Sequence, residues 1–264
     1  MSVPASLVKE LRDQTGAGMM DAKRALEESG GDLDSAKRIL RERGMAQAAK
    51  RAGRATSEGV VLATISGHVG TMVAVGCETE PVANNAEFLA FAERALEAVE
   101  ADGPDAVASL EEPRTELVAR IGEHVEVRNV TRMKAEAGES LAEYVHPPAN
   151  KIGVLVRVRG ENPAEARRLA MHISFAAPRF VRPDEVPEEV IAEERGIFER
   201  SDDVQSKPEQ VRGKIVDGML QKRFFAEQVL LEQVWIHDTS VTVGNALEQA
   251  GLEVVEFARF ALTE

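Results

Sequence analysis

The chain has 264 residues, 45 Asp and Glu against 32 Lys and Arg (net charge −13), and one cysteine, Cys77. That length suggests two or three units, enough to bury roughly 70–75% of the unfolded surface. The acidic balance argues against a general nucleic-acid binder, and the lone cysteine excludes an intrachain disulfide framework and fits a reducing cytosol. Met1-Ser-Val-Pro carries no signal pattern, and no apolar run approaches the roughly 18–20 residues of a membrane span. A cytoplasmic protein that uses neither membrane nor nucleic acid is therefore expected.

The first forty residues read as three short amphipathic helices broken by glycine. Leu7, Val8 and Leu11, then Ala22, Ala25 and Leu26, then Ala36, Ile39 and Leu40 give one apolar stripe each. Ser6 is a candidate cap for the first helix and Asp32 or Asp34 for the third. Gly16, Gly30-Gly31 and Gly44 are candidate stops. Helices this short are unstable alone, so the stripes must face one another. The turn Gly16-Ala17-Gly18-Met19-Met20 sets two flexible apolar side chains beside permissive glycines. Both methionines either pack over the helix junction or form an adaptable contact surface.

Residues 1–55 hold eleven basic and eight acidic residues (net +3), which leaves 21 basic and 37 acidic (net −16) for the remainder. The basic excess runs from Lys37 to Arg54. It reads as a solvated helix and linker or as an RNA stripe, though no aromatic is interleaved for base stacking.

Beyond residue 57 the period changes. Val60–Ile65 and Thr71–Val75 read as a hairpin about Ser66-Gly67-His68-Val69-Gly70. A helix follows over Ala86–Val99, a shorter one near Arg114–Ile121, and a strand over His124–Met133. Strands at Leu141–His146 and Ile152–Val158 bracket Pro147-Pro148-Ala149-Asn150, and a helix follows over Ala164–Ala176. Strand, turn, strand, helix thus occurs twice, which predicts an α+β architecture.

Residues 184–226 read as an inserted helical hairpin, Glu188–Glu199 and Glu209–Arg223, broken at Ser206-Lys207-Pro208. Its stripe sets Val190, Ile191, Ile197 and Phe198 against Val211, Ile215, Met219 and Leu220. It either projects toward a partner or folds back. A short helix over Val243–Ala250 and a strand over Leu252–Phe260 complete the chain.

No catalytic signature is found. Gly16-Ala-Gly18 follows a helix where a dinucleotide site needs a strand, and there is no phosphate-binding loop ending in Lys-Ser/Thr. The five histidines lack metal-ligand spacing. Cys77 reads as a small buried hydrophobe, and His172 as a residue of the core or its edge. A non-enzyme without cofactor or metal is expected, one that grips a partner.

The run Leu7-Val-Lys-Glu-Leu-Arg through Thr15-Gly-Ala-Gly-Met-Met-Asp, with Ile121-Gly-Glu-His-Val-Glu-Val-Arg, Lys151-Ile-Gly-Val-Leu-Val, Ala170-Met-His-Ile and Val255-Glu-Phe-Ala-Arg-Phe, resembles the bacterial elongation factor Ts family. The resemblance covers essentially the whole chain. It implies a ubiquitin-associated-like three-helix domain with its linker (1–55), a core N-subdomain (56–138) and a related core C-subdomain (139–264) carrying the hairpin at about 184–226. It implies a guanine nucleotide exchange factor for elongation factor Tu that promotes GDP release by disturbing the Mg2+/phosphate site. An adaptor of the ubiquitin-associated type without exchange activity is the alternative.

By the same resemblance, Leu11, Met19 and Met20 stand where the family places apolar contacts to elongation factor Tu. Thr79-Glu80-Pro81-Val82 stands where the family typically has Thr-Asp-Phe-Val, so Glu80 keeps a carboxylate while Pro81 replaces a ring that acts as a wedge. Ile121 and Gly122 correspond to a pair near the partner's phosphate-binding loop. His146 corresponds to a partner-contacting histidine, at wider spacing from Ile152. The inserted helices match a coiled-coil or dimerisation segment, so self-association through them is implied. Many members continue beyond the last strand with a helical module, and its contact is expected to be missing here.

Overall fold

The computed structural model describes residues 3–263. Helices α1 (Ala5–Thr15), α2 (Met19–Glu28) and α3 (Leu33–Arg51) bury Val8, Leu11, Ala22, Ala25, Leu26 and Ala36 against one another, as the stripes require. Asp32 caps α3, its Oδ1 accepting from the Ser35 amide at 2.8 Å.

Two expected boundaries are corrected. Pro4, in extended conformation, precedes α1, so Ser6 lies inside the first turn and makes no cap. Gly44 does not end α3, which runs on to Arg51. A Cβ on Gly44 would lie 2.9 Å from the Ala119 Cβ of helix α6 (Glu111–Ile121). The glycine serves close helix packing, which outweighs its poor helix propensity. The basic run is engaged as well. Arg41 pairs with Glu112 of α6 at 2.6 Å, and Arg54 and Arg51 reach Glu78 at 3.0 and 3.7 Å.

Two antiparallel three-stranded sheets follow. The first is β1 (Glu58–Ser66), β2 (Val69–Cys77) and β3 (Val125–Lys134), in that order. The second is β4 (Glu139–Val145), β5 (Ile152–Arg159) and β6 (Glu253–Ala261). Helix α5 (Ala86–Asp102) lays Phe88, Phe91, Ala92, Ala95 and Val99 on one face of the first sheet, over Val73, Val75 and Cys77. Helix α7 (Pro163–Ala176) lays Ala166, Leu169, Ala170 and Ile173 on the second, over Val154, Val156 and Val158.

The other two faces meet. Val61, Met72, Ala74 and Met133 pack against Leu155 and Leu262, giving a helix–sheet–sheet–helix order of layers. Central strand β2 is therefore apolar on both sides, as a strand covered on two faces must be. The sheets correspond in detail. Each central strand slips register against its third strand between its own sixth and seventh residues, Ala74/Val75 and Arg157/Val158. Gly70, second in β2, leaves room for Leu155 and Leu141, and Gly153, second in β5, leaves room for Met72 and Val61.

The hairpin forms from α8 (Glu188–Glu199), α9 (Asp202–Gln205) and α10 (Glu209–Met219), continued by a π-helical turn at Leu220–Phe225 and by α11 (Ala226–Gln228). Its helices pack mainly on one another and on that turn. The stripe differs from expectation at two positions. Val204, Val216 and Phe224 join the cluster, while Ile197 and Val211 are 47% and 40% exposed. The unexpected α9 supplies Val204. The buried face of α10 centres on Val216, Met219 and Leu220, at i, i+3 and i+4, which turns Val211 outward. Helix α12 (Val243–Ala250) then leads into β6.

His172 is fully buried on α7. Its Nδ1 accepts the Ile236 amide at 3.4 Å and its Nε2 faces Gln233 Oε1 at 2.8 Å, so Nε2 carries the proton. Trp235 stacks on the ring at 5.2 Å. Burial holds the imidazole below its ordinary 6.5, overriding the Gln233 bond, and His237 adds to the depression. The fold thus favours the neutral ring, and the unfolded chain binds the extra proton. The stability this contributes is complete above pH 6.5 and is lost as pH falls from there toward the folded-state value, by at most about 1.4 kcal/mol per pH unit. Denaturant titrations between pH 7 and pH 5 should show that loss, and His172→Gln should flatten it. An equally steep loss in the variant would assign it to other groups.

Candidate partner-binding site

Strand β2 delivers its last residue, Cys77, to the edge of the first core. The Cys77 thiol is buried, donates to the Thr79 carbonyl at 3.3 Å, and is pushed up to about 12 chiefly by burial, so it stays protonated. The chain then turns into a short helix, α4 (Glu80–Ala83), with Thr79 as its N-cap and Pro81 in its first turn. Proline costs no hydrogen bond there, because first-turn amides lack helical partners. Thr79, Glu80 and Pro81 are exposed, and Val82 packs on the first core.

A second segment is stitched to this one. Gly122 ends α6 in the left-handed region (φ 81°), and Ile121 packs on the first core. The next residue, Glu123, accepts from the Thr79 amide at 3.0 Å and from the Thr79 hydroxyl at 2.7 Å. Glu123 thereby holds the residue that begins α4, whose own side chain makes no cap bond to the helix. Below it, Glu78 accepts from the His124 amide at 2.6 Å and pairs with Arg54 and Arg51. Burial pushes the Glu78 carboxyl up, but the His124 amide and the two guanidinium groups outweigh it, so it is held below the ordinary carboxylate range. His124 Nδ1 lies 3.0 Å from the Arg54 carbonyl. The expected segments 79–82 and 121–122 therefore meet, and the end of the linker is tied beneath them.

Met19 and Met20 open α2 and are 61% and 56% exposed. Leu11, by contrast, is fully buried among the three helices. His146 lies in the exposed turn after β4, 3.0 Å from the Tyr144 hydroxyl. That turn contains the cis Pro147-Pro148 bond and reaches the first sheet through the Val61 amide, which donates to the Asn150 carbonyl at 2.7 Å. It lies beside β1. Sequence reasoning missed Glu78, Glu123 and His124, because contacts across more than forty residues leave no local pattern.

Among the described residues no group of His, Cys, Asp and Glu could hold a metal ion, and no helix is long and apolar enough to cross a membrane. The arrangement offers an exposed apolar pair and an exposed loop braced from below, which suits binding.

The Elongation factor TS family model matches residues 78–264. Relatives described as elongation factor Ts extend the match to the whole chain. That of Idiomarina loihiensis is 40% identical over 274 residues, covering 100% of this chain and 92% of the relative. Those of Alkalilimnicola ehrlichii and Thioalkalivibrio sulfidiphilus are 39% and 40% identical, each covering 100% of this chain and 93% of the relative. With a match of this length and identity, the chain belongs to the elongation factor Ts family.

Proposed function

We infer that this chain is a guanine nucleotide exchange factor for elongation factor Tu, acting in translation elongation. The observation that carries the reading is its full-length relationship to elongation factors Ts. Such a factor needs no covalent chemistry. It binds the nucleotide-free GTPase more tightly than the GDP form, and linkage requires GDP to bind the complex more weakly by the same factor. A ten-thousandfold weakening needs about 5.5 kcal/mol of differential contact, more than one side chain supplies. Several elements must act together, and three units suit that demand: the three-helix domain to about residue 55, the core to about 138, and the remainder with its hairpin. Release of a fluorescent GDP from elongation factor Tu, followed with and without this protein at micromolar concentration, tests the reading. Acceleration is expected. An unchanged rate overturns exchange and leaves a binding adaptor.

In this reading Met19 and Met20 dock, and Thr79–Val82, braced by Glu123, disturbs the Mg2+/phosphate site beside Ile121 and Gly122. His146 adds a contact from the second sheet. Removing the magnesium takes away the largest local charge that holds the phosphates. The exposure of both methionines supports docking. A methionine buried at an interface contributes about 1.5–3 kcal/mol, so replacing both by alanine should weaken binding to nucleotide-free elongation factor Tu at least about tenfold in calorimetry. Unchanged affinity removes them from the interface.

Pro81 fills the turn without offering an aromatic volume. Pro81→Phe should raise the maximal rate of GDP release, and a lower rate would mean that this loop works by another contact. Self-association through the hairpin belongs to the same reading, supported by exposed Ile197 and Val211. Sedimentation should show a dimer that Ile197→Ser with Val211→Ser dissociates. A monomer in both would dismiss it.

A further inference from the structure

Arg120, in the last turn of α6, links the turn that precedes Met19 and Met20 to the start of α5, the helix that follows the Thr79–Val82 loop. Its Nε donates to Glu87 Oε2 at 2.6 Å, on the first turn of α5 just beyond α4. Its stem lies against Gly16, so closely that no Cβ fits there. Gly16 is left-handed at φ 68° and ends α1 just before Met19 and Met20. Ile121 and Gly122 follow it directly in the chain.

The three N-terminal helices are otherwise held to the core through α3, where Arg41 pairs with Glu112, Gly44 meets Ala119, Ala48 packs in the first core and Arg51 reaches Glu78. Contacts strung along one helix resist rocking about that helix axis least. A second contact at the far end, where α1 turns into α2, removes it. Between the two attachments lies a cleft of about 720 Å³, with Thr15, Leu40 and Met45 on one wall and Thr115 and Arg120 on the other. The ion pair itself is partly exposed, 29% for Arg120 and 54% for Glu87, so its contribution to global stability is small. Its value is geometric.

We propose that Arg120 is a positioning residue, a strut between Gly16 and Glu87 that fixes the two-methionine turn relative to the Thr79–Val82 loop, so that docking by one aims the other. The proposal rests on the exchange reading for its consequence but not for its geometry, and a displacement of about 1 Å between coupled elements is enough to cost up to about a hundredfold in rate.

The test uses the full chain. Spin labels at Lys23→Cys on α2 and Ala90→Cys on α5 report the distance between the two bodies, while buried Cys77 stays unlabelled. The wild-type arginine should give a narrow distance distribution. Arg120→Ala should broaden it. Arg120→Met, which keeps the stem against Gly16 but loses the pair, should give an intermediate width. The unlabelled Arg120→Ala protein should keep its thermal midpoint within a few degrees, yet release GDP from elongation factor Tu about tenfold more slowly at saturation. A distribution as narrow as wild type in Arg120→Ala, or an unchanged saturating rate beside a wild type that accelerates release, overturns the strut. If the wild type itself accelerates nothing, the exchange reading fails, and the distance distribution alone decides whether Arg120 holds the two bodies in place.

Discussion

The two sheets meet face to face, closely enough at two points to require glycine, and the rest of the molecule depends on that contact. Gly70 gives way to Leu155 and Leu141, and Gly153 to Met72 and Val61. Each glycine is second in its central strand, and Met72 and Leu155 are each fourth, so the contact is reciprocal. Leu262 closes the gap beside them, its amide donating to the Lys151 carbonyl at 3.0 Å and its carbonyl accepting from Arg128 at 2.7 Å. Close-packed interiors resist deformation, so the sheets behave as one body and each helix layer inherits its position from them.

The proposed binding elements are mounted on this body at its margin. Strand β2 runs through the middle of the first sheet and hands Cys77 to the edge. The next five residues form the loop, exposed at Thr79, Glu80 and Pro81, and bonds of Glu78 and Glu123 tie it down. The same carboxylate of Glu78 anchors the linker through Arg51 and Arg54. A flexible loop would lose binding energy to ordering on contact, and a braced one is ordered beforehand. The methionines keep adaptable, exposed side chains on a fixed helix start, which suits the docking role proposed for them.

Much of this was legible in the sequence. The apolar periods located the N-terminal helices, the first hairpin, α5, α7 and the last strand, and the duplicated order of strands and helix anticipated two matching sheets. The failures share a cause. Gly44 looks like a stop because local propensity says so, and only the approach of Ala119 from seventy-five residues away explains a glycine inside a helix. Leu11 carries the same pattern as any amphipathic residue, and spacing cannot separate a core leucine from a contact leucine. Ile197 and Val211 fit a stripe that the unforeseen α9 and π-turn displaced. For the proposed site, the resemblance supplies the exposed residues as expectations, whereas the residues paired beside them, Glu78, Glu123 and Arg120, are defined by long-range contacts.

Division of labour on one rigid face, with the two-methionine turn, the Thr79–Val82 loop and the end of α6 reaching a single partner together, is the central claim. Amide hydrogen exchange on this chain, with and without nucleotide-free elongation factor Tu, measures it directly. Added protection at residues 16–22, 79–85 and 121–123 together, with the α8–α10 hairpin unchanged at concentrations where the protein is monomeric, is the predicted result. Protection confined to the N-terminal helices, or falling elsewhere, would contradict it.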